Sequence, residues 1–448
     1  VPGPKGLPYV GSALDYEDDP LGWMIRTRTE YGDVVRLDPE SIVVHDPRLV
    51  HHVLVETNAD FILDNSFVGG RRGRQELLDG LPEWMTVRRY LNRGLVRPVL
   101  LAHVGRIEQR MRRTVDALAG RDADLFDEAQ RMLGAATADY CIGGGDDDVD
   151  AVARAVEEVF WASLDVTDSK ESRLPIGPRP VARRARALNT NLVETLTDLV
   201  RRRRAESRPE QPRDVLDGLL DHPLNLPDRE VVGVVRLLIV TSHGPAGAAL
   251  SWCLLRLAEQ PALLRAVRDE IITTPVHPDR LPGEDWPLTS AVLKETLRMH
   301  PPNWAMGRTV AVPTLLGPYR LPAGERVLFS PYLIHRDPRH WTDPEIFHPE
   351  RWLAATRPHS EHAYLPFGAG TRVCPGARLG PVQLAIALAT IVRDHSLSFP
   401  PLDTVQPATS TLLVPVHAVG RWSRLPGAAA ERAATVTAER SGRSPTGP

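Results

Sequence analysis

A mainly α-helical fold with small peripheral β-sheets is the class this sequence predicts. Three observations predict it. Apolar residues recur at helical spacing over most of the stretch from Glu83 to about His300. Strand-like alternation is confined to residues 33–46 and to the last third of the chain. The run REVVGVVRLLIVTSHGPAGAALSWCLLRLAEQ, from Arg229, is apolar all round, as a helix is when a core surrounds it.

The chain opens on VPGPKGLPYVGS, a Pro/Gly-rich extended lead-in without the order of a signal peptide. DPLGWMIRTRTEYGD reads as a first helix ending at Gly32. VVRLDPESIVVHD alternates like a short hairpin, and DPRLVHHVLVET is a second helix capped by Asp46. Residues 61–80 are polar and glycine-rich, a loop region. Helical periodicity then runs from Glu83 to about Asp150 and again over 149–166. SRLPIGPRPVARR interrupts it, and ARALNTNLVETLTDLVRRRRAES resumes it. In the long apolar run, Pro245 removes one backbone hydrogen bond and opposes the carbonyl of Thr241, which predicts a broken helix. PALLRAVRDEII and SAVLKETLRMH are further helices. Strand signals fill RTVAVPTLLGPYRLPAGERVLFSPYLIHRD and LLVPVHAVGRW. No linker divides residues 1–424, which therefore read as one domain, and the polar tail 425–448 reads as disordered.

The 448 residues carry a net charge of −3, which argues against nucleic acid or an anionic membrane surface as a partner. Three cysteines, Cys141, Cys253 and Cys374, are too few and too far apart for a disulfide framework or a zinc site. They suit a reducing compartment, so a cytoplasmic location is expected. No stretch free of polar breaks reaches the roughly 18–20 apolar residues of a membrane span.

Cys374 carries the chemistry. It lies in FGAGTRVCPGARLGPVQLAIALATIV, a glycine-punctuated loop just before an apolar helix. The glycines permit positive-φ turns and close backbone approach to a flat ligand. The N–H groups opening the helix, with Arg372 nearby, favour a thiolate able to ligate a metal. A buried structural role is the commoner fate of a lone cysteine. Here, however, Phe367, Gly370, Arg372, Cys374 and Gly376 form F-x-x-G-x-R-x-C-x-G, with Gly368 inside it. Glu295 and Arg298 stand in E-x-x-R spacing on one helix face, and FHPERW supplies Arg351.

Together these motifs resemble those of the cytochrome P450 family. Trp84 and Arg88 resemble its aromatic-x-x-x-Arg pair, Arg308 its second propionate anchor, and HRDP at 335–338 the segment leading toward the haem. The resemblance covers about residues 1–424. It implies a triangular, mainly helical fold with haem b between the long distal helix and the Cys374 helix. Cys374 would be the axial metal ligand. Arg88, Arg308 and Arg372 would face the propionates, and Glu295, Arg298 and Arg351 would form a structural ion network. Dioxygen, a ferredoxin and its reductase are the implied partners, and a monomer is expected.

One departure stands out. Where the family places an acid followed by an alcohol on the distal helix, this chain has Gly244 and Pro245. Neither side chain can donate a proton. The candidate distal residues are therefore Ser242, His243, Gly244, Pro245 and Ala246, with Thr241 also within a turn. Four alternatives remain open. The substrate brings its own hydroxyl or carboxyl, or Thr241, Ser242 or His243 substitutes, and these two are favoured jointly. Otherwise the enzyme uses peroxide, or it oxidises without inserting oxygen. A histidine in an apolar helix is more often core than catalyst. Asn303 and Trp304 follow the E-x-x-R helix and are candidate pocket walls. Asp146, Asp147 and Asp150 have a D-D-x-x-D spacing that can hold Mg²⁺, but they suit an acidic helix start better. The expected function is a monooxygenase acting on a small apolar terpenoid-like or polyketide-like metabolite. A haem protein without oxygenase chemistry, or one that only binds a ligand, is the competing class.

Overall fold

The computed structural model describes residues 1–7, 9–63, 91, 94–169, 179–207, 210, 212–221, 225–409 and 411–425. The expectations for Trp84, Arg88, the loop at 64–80 and the tail from 426 lie outside them. Several helices begin on a side-chain cap that the sequence supplies. After the short α1 (Ala13–Asp18), α2 (Pro20–Tyr31) starts on Asp19, whose side chain accepts from Gly22 N–H at 2.9 Å. It ends on Gly32 at φ +93°, a left-handed position that glycine fills without strain. The helix α3 (Pro47–His51) uses Asp46 in the same way.

Next come α4 (Arg97–Leu118), α5 (Leu125–Ile142), α6 (Asp146–Asp168), α7 (Pro180–Ala205) and the short α8 (Val215–Leu220). Asp124 caps α5 by accepting from Phe126 and Asp127 N–H. The long apolar run forms α9 (Asp228–Ala258), followed by α10 (Pro261–Thr273), α11 (Pro287–Met299), α12 (Pro331–Ile334) and α13 (Leu379–Asp394). The main apolar core lies among α4 to α6, α9, α11 and α13.

One sequence expectation about α9 is corrected. Pro245 does not break it: the helix is one element of 31 residues with the proline inside. Core packing on several sides overrides the local penalty of one missing N–H. By length and composition α9 is also long and apolar enough to cross a membrane, although Arg236, Thr241, Ser242 and His243 break its apolar run. Its apolar surface is spent on the core instead, with Val231, Val235, Ile239, Leu250 and Cys253 fully covered.

Strands β1 (Val34–Asp38), β2 (Ser41–Val44), β3 (Phe61–Leu63), β5 (Met306–Val310) and β8 (Arg326–Phe329) form one sheet in the order β1-β2-β8-β5-β3. Only β2 and β8 run parallel within it. Small sheets pair β4 (Asp122–Asp124) and β9 (His395–Ser398) with β12 (Val419–Arg424), β6 (Thr314–Leu316) with β7 (Tyr319–Leu321), and β10 (Gln406–Thr409) with β11 (Leu413–Val416). This is the helical body with peripheral sheets that the alternation predicts.

Candidate functional site

The loop before α13 folds on itself. Cys374 N–H donates to Phe367 C=O (2.8 Å), Val373 N–H to Gly370 C=O (3.1 Å) and Ala377 N–H to Cys374 C=O (3.1 Å). Gly368 and Gly370 sit at φ +72° and +73°. Gly370 also has a packing reason to be glycine, since a Cβ there would strike the carbonyl oxygen of Leu54. A Cβ on Gly376 would lie 3.6 Å from Cys374 Sγ. Cys374 is exposed, whereas Cys141 and Cys253 are buried. Burial pushes both of those thiols up, Cys253 to about 12, so neither suits a thiolate role.

Two cations stand near this loop. Arg308, on β5, is 7% exposed, and its Nη1 donates to Gly307 C=O at 2.7 Å. Arg372 buries Nε and Nη1 with no protein partner. Among the described residues neither forms an ion pair. Burial, and then the charge of Arg372, push Arg308 down to about 10. Burial lowers Arg372 as well. Two desolvated guanidiniums that feel each other are unfavourable alone, and a dianionic ligand between them removes the penalty. The propionates of haem are such a ligand, and an open cysteine at a helix start is a fitting metal donor.

The loop is held from behind. Arg298 grips Glu295 in two hydrogen bonds of 2.9 Å, both residues being fully buried. Arg351 Nε donates to Glu295 Oε1 (3.1 Å) and Trp352 Nε1 to Oε2 (2.9 Å). Burial raises the Glu295 carboxyl, but Arg298 and these other donors outweigh it and hold the group below its ordinary value. The missed member is His335. Its Nδ1 lies 3.0 Å from Arg298 C=O, and its Nε2 accepts from Leu365 N–H at 3.0 Å. That pattern makes Nδ1 the protonated nitrogen, and burial pushes the ring's pKa down to about 3. The HRDP motif thus ties the ion network to a residue two before Phe367.

The distal candidates divide between two faces of α9. Thr241 is exposed and Ser242, Pro245 and Ala246 are half-buried, so they share an open face. His243, Gly244 and Gly247 are buried on the opposite side. His243 packs on Phe160 (ring centroids 5.3 Å) and abuts Gly134, where a Cβ could not fit beside it. The His243 ring points into the α5–α6 interface, the core role that is commoner for a histidine in an apolar helix, and not toward the open face where it could substitute for the acid–alcohol pair. Burial pushes it down to about 4, which keeps it neutral. At Gly244 a Cβ would meet Leu412 Cδ1 and Phe160 Cε2, each at 2.6 Å. The volume an acid would need is already filled by apolar side chains from α6 and from the turn before β11. Phe160 and Leu412 lie 84 and 168 residues from Gly244, too far for a local sequence pattern to join them to it.

The remaining candidates separate cleanly. Trp304 is 4% exposed and its C=O accepts from Ser330 Oγ at 2.6 Å, whereas Asn303 is exposed. The acidic cluster is a helix start: Asp146 and Asp150 pair with Arg110, Asp146 also with Arg113, and Asp148 with Arg202. Among the described residues no group of His, Cys, Asp or Glu is placed to hold a metal ion.

A helical protein with an exposed cysteine ahead of one core helix, two desolvated arginines beside it that form no ion pair among the described residues, and a long helix crossing the core has the features of a haem-thiolate class of protein. The comparisons agree. The family model described as Cytochrome P450 matches residues 1–419. Cyclooctatin synthase of Streptomyces melanosporofaciens is 30% identical over 87% of this chain and 88% of its own length. Pentalenene oxygenase of Streptomyces avermitilis is 29% identical over 90% and 92%. The solved cytochrome P450DA heme domain matches with a TM-score of 0.78 at 20% identity, covering 95% of this chain and 97% of its own, a likeness of fold. The chain belongs to the cytochrome P450 family. It is an oxidoreductase of that family, and membership implies a haem-iron cofactor, dioxygen, a redox partner and a small organic substrate.

Proposed function

We propose that this chain is a haem b monooxygenase that oxidises a small, largely apolar terpenoid with dioxygen and electrons from a ferredoxin and its reductase. The pairing of exposed Cys374 with buried Arg308 and half-buried Arg372 carries the reading. Cys374 would hold the haem iron through its thiolate, and Arg308 and Arg372, with Trp84 and Arg88, would meet the propionates. Phe367, Gly368 and Gly376 shape the loop. Glu295, Arg298 and Arg351 hold α11 and the segment before the loop in register. Thiolate-held haem supplies dioxygen activation when bound. The terpenoid class is supported by the relatives named for cyclooctatin and pentalenene. A cytoplasmic monomer is part of this reading, three cysteines being too few for a disulfide framework.

The chain's own residues limit where a proton can come from. Thr241 Oγ1 donates to Leu237 C=O (2.7 Å) and Ser242 Oγ to Ile239 C=O (3.0 Å). Both hydroxyls thus offer lone pairs to the open face rather than protons. Pro245 and Ala246 offer neither. A hydroxyl or carboxyl on the substrate, or a water it orders against Thr241 and Ser242, is then the donor. Two measurements test the proposal. A reduced, carbon monoxide-bound sample should show the thiolate-type Soret band, and its absence sinks the assignment of Cys374. Ferredoxin-driven turnover under labelled dioxygen should place one labelled oxygen in the product. Unlabelled product would instead favour oxidation without oxygen insertion, a second reading supported by the apolar filling around Gly244.

A further inference from the structure

The segment from His52 to Leu63 touches both sides of the cradle. It begins with a widened turn, in which Thr57 N–H donates to His52 C=O (2.9 Å), five residues back, and Thr57 Oγ1 bonds the same oxygen (3.0 Å). Such turns carry one residue more than an α-turn and bulge locally. The bulge brings Leu54 C=O against Gly370, and Val53, Leu54 and Val55 into one apolar cluster with Ala369. Asn58 Oδ1 then accepts from Thr371 Oγ1 at 2.8 Å, next to Arg372. Two residues on, Asp60 reaches the other side. Its C=O accepts from Ala311 N–H (2.6 Å) and its Oδ2 from Thr314 Oγ1 (2.8 Å). The strand that follows pairs Leu63 with Arg308 itself.

We propose that residues 52–63 are a spacer that sets the separation between the Arg372–Cys374 loop and the Arg308 strand, with Asn58 and Thr371 as its positioning residues. They touch neither the thiolate nor a propionate and act through the loop they hold. This rests on the reading that the loop carries haem. The bond is exposed, so its loss leaves the fold intact and loosens only the loop's placement.

The test measures haem transfer from holoprotein to excess apomyoglobin, together with the carbon monoxide spectrum and the melting temperature. Asn58→Ala and Thr371→Val should each release haem about three- to tenfold faster, the range one net hydrogen bond supports. The double variant should release it no faster than Asn58→Ala alone, since both substitutions remove the Asn58–Thr371 bond and Asn58→Ala also loses its donation to Val55 C=O. Thr371→Ser, which keeps the hydroxyl, should restore the wild-type rate. Release within twofold of wild type, or additive effects in the double variant, overturns the proposal. A wild-type protein lacking the thiolate-type band would instead sink the assignment of Cys374, which separates the two failures.

Discussion

At the scale of single residues, the site is marked by what lacks a partner. Among the described residues Arg308 is a buried cation without an anionic partner, and a bound anion would match it, so one substitution should act with opposite signs on the two states. Arg308→Met, similar in length and uncharged, should stabilise the haem-free protein by about 1–4 kcal/mol while weakening haem retention at least tenfold. Melting of both forms, with haem transfer, checks it, and a fall in haem-free stability would show that Arg308 is already satisfied. Gly244 gives a second prediction. Gly244→Asp puts a carboxylate where Phe160 and Leu412 leave no room and no donor, so it should destabilise by about 2–4 kcal/mol and restore no proton relay. Adding Phe160→Ala should recover part of that loss. A stable single variant with improved coupling of electrons to product would mean that the apolar filling yields easily.

At the scale of elements, the long helices were legible because periodicity is a local signal that a core amplifies. The Cys374 loop was legible because ten contiguous residues, Phe367 to Gly376, do most of its work. Two features of α9 were not. A helix apolar all round does not say which face meets a ligand, so His243 could not be placed on the Phe160 side from sequence. The helix-breaking rule for Pro245 is local, and it lost to packing along 31 residues. Contacts such as His335 to Leu365 and Asn58 to Thr371 join segments 30 and 313 residues apart, which no single-sequence pattern encodes. The proline still leaves the Thr241 carbonyl without its helical donor. Pro245→Ala should therefore raise stability by about 1–3 kcal/mol, below or near the usual cost of an interior proline, and shift the melting midpoint upward. An unchanged midpoint would show that the back-bonded hydroxyls of Thr241 and Ser242 have already relaxed that turn.

At the scale of the whole molecule, buried neutral histidines make acid sensitivity a property of the fold. His45, His243, His300 and His335 are each at most 6% exposed. Burial, the leading cause in every case, holds His45 and His243 at about 4, His335 at about 3 and His300 well below its ordinary value. Two of them also accept hydrogen bonds that protonation would break, from Arg256 Nε to His300 Nε2 (3.0 Å) and from Leu365 N–H to His335 Nε2 (3.0 Å). In the unfolded chain all four take up protons near about 6.5. From there down to about 4 the unfolded state binds more protons than the folded one, so stability falls as pH falls, by up to about 1.4 kcal/mol per unit for each group. Carboxylates held low, such as Asp337 at about 2, add their part only below their ordinary value near 4. The window from about 6.5 to 4.5 therefore belongs to the histidines. Denaturant midpoints at pH 7.5, 6.5, 5.5 and 4.5 should drop most steeply across it. His243→Leu removes one of these protons and breaks no hydrogen bond made by the ring to the protein, since neither ring nitrogen has a protein partner. Its stability should fall less steeply than wild type below pH 6.5, by up to about 1.4 kcal/mol per unit, whatever its stability at pH 7.5. Parallel curves for the two proteins would mean that His243 titrates alike in both states, and that its ring is not sealed between α5, α6 and α9.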